Sequence, residues 1–333
     1  MGVNKTFFDD IGIIRAFCII SIVIGHSFAI YSNSSYWVLP MNVEDIEFYK
    51  WINPAVINIE LQTFVFISGF LFGYQGKKSN TFSFLIKKIK RIIIPCILFG
   101  IIYYITIDRY KLDKVSISYF LSGAGHLWFL PMIFCCYFIS NFFWNWMNKP
   151  NITIFLLLSS LSIFSIYIPQ LICIQNLATY LIYFVLGIWC YNYKEQLLTL
   201  LKKRKSGIYL LSLVVLFTIA KCYIYYNRSF QGADIMLHFV KYLLGIVGSI
   251  TCLYIANLNI IHKVIPTKIS RWNGWYGIYI YHQFILMYFY YNIPISLINN
   301  YLIPVFAFII STIISIILVE LTLKTKVGKW LIG

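Results

Sequence analysis

Residues 11–30 read IGIIRAFCIISIVIGHSFAI, and this stretch decides the fold. Twenty residues at about 1.5 Å of rise each make a helix of about 30 Å, the thickness of a bilayer's hydrocarbon core. Arg15 and His26 interrupt the apolar run. Eleven positions at about 100° each return to within roughly 20° of the same face, with about 16 Å between the two in depth. An ionisable group at membrane depth is costly and is retained where it faces protein or water. The expectation is one functional stripe, with Arg15 near one boundary and His26 deep toward the other. On this helix alone a plainer alternative stays open: Arg15 snorkels to the headgroups and His26 bonds a neighbouring helix.

Outward from this stretch the pattern repeats. The chain has 333 residues, 60% of them hydrophobic and 11% charged, with a mean hydropathy of +0.77. An average soluble domain is roughly 25% charged, so the expected class is an all-α polytopic membrane protein. Residues 1–333 read as a single integral membrane domain, without internal repeat or extramembrane domain. About ten transmembrane helices are expected, near 11–30, 51–74, 92–107, 127–147, 152–168, 177–193, 208–226, 235–256, 274–291 and 302–323. The loop at 31–50 is acidic, with Glu44, Asp45 and Glu47, and reads as outside. The stretch from Lys194 to Lys205 reads as a short interfacial helix.

Basic residues mark cytoplasmic loops, and this arrangement puts 20 of the 27 Lys and Arg on the inside with both termini cytoplasmic. The net charge of +16 is therefore read as topology, and nucleic acid is not an expected partner. The polar start MGVNKTFFDD ahead of a long first span argues against a cleaved signal. The eight cysteines are scattered, mostly within apolar runs, with no CxxC and no metal-ligand spacing. They read as small hydrophobes, and no metal site is expected.

The segments RAFCIISIVIGH, FVFISGFLFG, KKIKRIIIP, HLWFLPMIF and YGIYIYHQF stand in that order along the chain, and together they resemble the acyltransferase-3 family of membrane proteins, which move acyl groups from acyl-CoA onto sugars of bacterial surface polysaccharides. RAFCIISIVIGH is similar to that family's Arg, ten residues, then His. FVFISGFLFG, with Ser68 and Gly69, resembles the end of its second span. KKIKRIIIP resembles the basic run entering its third span, with Lys87, Lys88, Lys90, Arg91 and Pro95. HLWFLPMIF, with His126 and Trp128, and YGIYIYHQF, with His282, follow in the family's order. The chain departs from the pattern where Gly12 replaces the acidic residue usual just before the Arg, with Asp10 further off, and where Ala16 replaces a common Gly.

The resemblance implies an O-acyltransferase of the bacterial cytoplasmic membrane. Acyl-CoA, most commonly acetyl-CoA, is the co-substrate, no cofactor stays bound, and a hydroxyl of a cell-surface polysaccharide, glycolipid or lipid-linked precursor is the acceptor. The chemistry needs a base for the hydroxyl, stabilisation of the oxyanion and anion-binding groups for CoA phosphates. His26 is the expected base, since histidine titrates nearest neutral pH. His282 is the second candidate or its partner, and a place in an aromatic belt beside Tyr279 and Tyr281 is the equal alternative. Glu60, a rare carboxylate within a span, is assigned to orienting His26. Arg15 and Arg91, with Lys87, Lys88 and Lys90, are the expected donor-binding residues, although topology and anionic lipid account for such clusters more often. Ser68, Gly69, His126 and Trp128 are assigned to the substrate pocket, with packing as their competing use. A secondary transporter or flippase is the alternative function, because intramembrane charges also mark transport paths. It would call for paired broken helices at the midplane, which the sequence does not offer.

Overall fold

A computed structural model gives the fold and describes residues 3–31, 46–56, 59–78, 80–108, 117–292 and 298–332. Most of the acidic loop expected at 31–50, and residues 109–116 of the next outer loop, lie outside the described residues. All regular structure among the described residues is helical. In chain order it comprises α1 (Val3–Phe28), α2 (Glu47–Val56), α3 (Glu60–Gln75), α4 (Thr81–Lys88), α5 (Ile94–Tyr103), α6 (Ile117–Ser122), α7 (Phe129–Phe142), α8 (Trp144–Met147), α9 (Ile152–Ile163) and α10 (Ile174–Asn192). It continues with α11 (Lys194–Leu201), α12 (Arg204–Tyr226), α13 (Ala233–Ala256), α14 (Asn259–Val264), α15 (Thr267–Ser270), α16 (Trp275–Asn292), α17 (Ile303–Leu323) and α18 (Lys326–Ile332).

Among the described residues, seven helices are long and apolar enough to cross a membrane: Asp9–Tyr31, Thr81–Ile107, Gly125–Phe142, Ile174–Asn192, Lys205–Tyr226, Ala233–Ala256 and Ile303–Leu323. Three of the ten expected spans fall short of that description. The second is only 16 residues as α3, the fifth is the shorter apolar helix Ile152–Tyr167, and the ninth, α16, dilutes its apolar residues with His282, Gln283 and tyrosines. All three pack against other helices of the bundle, α3 and α9 on α10 and α16 on α17.

Burial sorts the helices into centre and rim. In α1 67% of the membrane-length window is buried, against 22% in α12 and in α17, whose exposed Ile, Leu and Val form a surface suited to lipid. α1 packs against α3, α13, α16 and α17. α3 in turn lies closely on α10, since a Cβ on Gly69 would fall 1.9 Å from the Phe184 carbonyl oxygen. Without a hydrophobic drive between helices in lipid, such small-residue crossings let dispersion contacts accumulate.

Alternating loops meet at two faces. On one, which carries the basic loops, Trp189 Nε1 donates to the Met147 carbonyl at 2.8 Å, Asn192 donates to the Asn148 carbonyl, and Trp272 Nε1 donates to Glu320 at 2.7 Å. Arg271 grips Asp9 through two bonds of 2.6 and 2.8 Å, and His262 lies 2.7 Å from Asp10. Gly12 is required beside this clamp, because a Cβ there would fall 1.9 Å from the Ser270 carbonyl oxygen. On the far face, Tyr31 donates to the Asn300 carbonyl at 2.9 Å and Tyr49 to that of Tyr301 at 2.6 Å.

Candidate functional site

The stripe on α1 lines two adjoining spaces. A cavity of about 420 Å³ reaches inward from the basic face, and its wall includes Arg15, Ile19 and Ile22. A chamber of about 70 Å³ lies further along, and its wall includes Ile22 and His26. The steps from 15 to 19, 22 and 26 are four, three and four residues, one face of a helix. Ile22, Leu61, Phe129 and Tyr279 border both spaces and form a collar between them.

Cations gather around the larger cavity. Arg15, Lys88 and Arg91 line it together with Tyr137, Asn273 and Tyr276. The Lys88 ammonium lies 3.5 Å from the centroid of the Tyr137 ring, an attraction between cation and ring face that holds it at the wall. Arg91 owes its setting to local sequence. Pro95 has no N–H to offer the carbonyl four residues back, which is that of Arg91, and its ring crowds that carbonyl. Residues Ile89–Ile93 accordingly form a π-helical turn between α4 and α5, and the Tyr276 hydroxyl donates to the Arg91 carbonyl at 3.4 Å. Such widened turns recur at functional sites.

Two imidazoles, His26 and His126, line the chamber, and a third, His282, packs against both. His26 Nδ1 lies 2.9 Å from His282 Nε2, with the rings stacked at 5.1 Å between centroids. His282 Nδ1 lies 2.8 Å from the Tyr279 carbonyl and 3.1 Å from that of Ile278. Carbonyls only accept, so Nδ1 of His282 carries its proton and, in the neutral ring, Nε2 is the acceptor. His26 Nδ1 must then donate, which makes Nε2 the basic nitrogen of neutral His26. His126 meets His282 edge to face at 5.1 Å, and its Nε2 donates to the Ile280 carbonyl at 3.1 Å. Its buried Nδ1 has no hydrogen-bond partner among the described residues. The Tyr279 hydroxyl donates to the His126 backbone carbonyl, fixing the turn that presents this ring.

The residues selected from sequence divide between these spaces. Glu60, 2% exposed, lines the chamber with His26, His126 and Trp128 and accepts from the Ile59 N–H at 3.1 Å, while the ring partner of His26 Nδ1 is His282. Ser68 lines the large cavity, with its hydroxyl donated to the Phe64 carbonyl at 2.9 Å. Gly69 serves the crossing with α10 instead. Lys87 and Lys90 are exposed and stand apart from the cavity wall, one residue out of phase with Lys88 and Arg91. Sequence reasoning missed Tyr137, Asn273 and Tyr276, and it missed Leu331 and Ile332 of α18, which close the cavity. A signal for one of these was present: Tyr276, Tyr279 and His282 recur every three residues on α16.

Among the described residues, no group of three or more His, Cys, Asp or Glu is arranged to hold a metal ion. A family model described as an acyltransferase domain matches residues 8–320, essentially the whole chain. No curated protein and no solved structure matches it.

Proposed function

The chain belongs to the acyltransferase-3 family, and from that premise we propose that it transfers an acyl group, acetyl in the first instance, from acyl-CoA to a hydroxyl of a cell-surface polysaccharide, glycolipid or lipid-linked precursor. In this reading the basic face is cytoplasmic and the membrane is the bacterial inner membrane. CoA phosphates are held by Arg15, Lys88 and Arg91, and the pantetheine arm follows Ile19 and Ile22 to the collar. His26 Nε2 takes the proton of the acceptor hydroxyl as its oxygen attacks the thioester carbon. The tetrahedral species then collapses, the carbon–sulfur bond breaks, and the imidazolium returns the proton to the departing CoA sulfur. His282 holds the His26 ring in the tautomer this requires, and Glu60 offers the negative charge that favours the transient imidazolium. His126 Nδ1 accepts from a hydroxyl of the sugar.

One observation supports this reading above the others: a single face of α1 joins a cation-lined cavity to the imidazole chamber. Mass spectrometry of surface glycans from cells with the protein, without it, and with His26→Ala tests it. A mass step of one acyl group is expected only with the parental chain. Identical glycans in all three would overturn the proposal. For the orientation, a cysteine introduced at Lys202 or Lys203 should react with impermeant reagents only from the inside, and labelling from outside would reverse it.

A further inference from the structure

Lys221 is the one charged residue within the apolar run from Ile208 to Tyr226, and the mechanism above does not use it. It stands five residues from the far end of α12, near enough for its four-carbon stem to carry the ammonium out to the headgroups. The structure does the opposite. α12 is mostly turned to lipid, with Ile219 62% and Tyr223 65% exposed, yet Lys221 is 1% exposed. The same face of α12 continues through Ile224, which packs with Leu237 and Val240 of α13. α13 in turn lies close on the start of α3: a Cβ on Gly248 would fall 2.7 Å from the Ile59 side chain, and the Thr63 and Ser249 hydroxyls are 3.2 Å apart. This stacking brings the Lys221 ammonium within electrostatic reach of the Glu60 carboxylate, itself 2% exposed. Lys241 of α13 is half-buried and lies within reach of a different carboxylate, that of Asp234.

We infer that Lys221 is the counter-ion of Glu60, a positioning residue that keeps this side chain a carboxylate at the chamber wall and so lets it act on His26. The inference rests on the roles given above to Glu60 and His26. An isolated ionised carboxylate in an apolar interior does not stay charged and takes up a proton instead. A protonated Glu60 would no longer offer the negative charge that favours an imidazolium at His26. The Ile59 N–H, 3.1 Å from the carboxylate, fixes its place but brings no full charge. Lys221 supplies one, and it does so from outside the chamber, whose wall includes Glu60 and His26 but not Lys221. His26 therefore feels the nearer negative charge more strongly than the ammonium behind it. The pairing also accounts for a lysine kept at membrane depth on a helix that otherwise faces lipid, because a charge alone is costly there and a paired one less so.

The test compares the parental chain with Glu60→Gln, Lys221→Met and the double variant, in membrane vesicles supplied with acetyl-CoA. Acylated glycan is counted by mass spectrometry, and the inserted protein is quantified. A general base contributes about 10²- to 10⁴-fold, and loss of the charge that supports it should lower kcat by about tenfold or more. The loss should be the same in both single variants, with the KM for acetyl-CoA unchanged. The double variant should be no slower than either, because both substitutions remove the same charge from the chamber wall. One member of a buried pair left alone destabilises more than loss of both, so adding Glu60→Gln should raise the amount of inserted Lys221→Met protein. Inserted Lys221→Met that transfers at the parental rate overturns the inference, and so do losses that multiply in the double variant. A parental rate in Glu60→Gln removes Glu60 from the reaction and overturns the inference while leaving His26 as the base. If Lys221→Met does not insert, the double variant decides: recovered insertion supports the pair, and continued failure overturns it. Absence of transfer by the parental chain overturns the transferase reading and the role at His26 with it, whereas the insertion series separately judges the pairing.

Discussion

The cavity at the basic face and the chamber beyond it share the collar of Ile22, Leu61, Phe129 and Tyr279 but differ in what else lines them. The first is roomy, open to the basic face and ringed by Arg15, Lys88 and Arg91, groups that hold anions without reacting. The second is small and lined by the imidazoles of His26 and His126, with His26 held through His282 to the Tyr279 carbonyl. On the proposed reading, binding energy and proton transfer fall to separate places, so substitutions in the two should fail in different ways.

The largest effect is expected in the chamber. His26→Ala should lose about 10²- to 10⁴-fold in acyl transfer, the usual contribution of a positioned general base, with donor affinity retained. Because His282 is proposed to act through His26, adding His282→Ala to that variant should cost little more, a non-additivity expected of residues that work as a unit. Folded His26→Ala that transfers at the parental rate would break the comparison outright.

Arg15→Ala comes next. A hydrogen bond to a charged group contributes about 1.5–3 kcal/mol, so donor affinity measured by acyl-CoA titration should fall by about 10- to 150-fold while acceptor affinity holds. The reverse pattern would move Arg15 out of the donor site. Tyr276→Phe sharpens the same point more gently. Loss of its bond to the Arg91 carbonyl should cost about 0.5–1.5 kcal/mol, read as a weakening of donor binding by no more than about tenfold. If donor binding is unchanged, the π-helical turn holds Arg91 without Tyr276. Lys87→Ala and Lys90→Ala should change least, within about twofold at physiological salt, where exposed charges beyond a Debye length of about 8 Å are largely screened. Effects matching that of Arg15→Ala would return these lysines to the donor site.

Some of this arrangement was legible before any fold was known. The Arg15 to His26 stripe is a property of one helix, and helical period is local, so spacing alone aligned the two residues. The special setting of Arg91 was likewise encoded within five residues by Pro95. The pairing of His26 with His282 spans 256 positions, and nothing in either segment specifies which nitrogen meets which. Gly69, matched to the family in the same segment as Ser68, belongs to a helix crossing, a distinction that required Phe184 to be located. Gly12 is explained in the same way by Ser270, a residue far along the chain.

The sequence by itself determined that the protein is a helical membrane protein, that α1 carries a polar stripe and that basic loops gather on one face, because charge and helical period leave marks that need no partner to be read. Only the tertiary structure decided the collar of Ile22, Leu61, Phe129 and Tyr279, the tautomer chain through the histidines and the closure of the cavity by α18. In water a hydrophobic stripe marks the buried face of a helix, but in lipid both faces are apolar and hydropathy does not separate them. A polar residue within a span therefore announces its surroundings from sequence, whereas an isoleucine facing a substrate and one facing a lipid tail are told apart only by the helices packed against them.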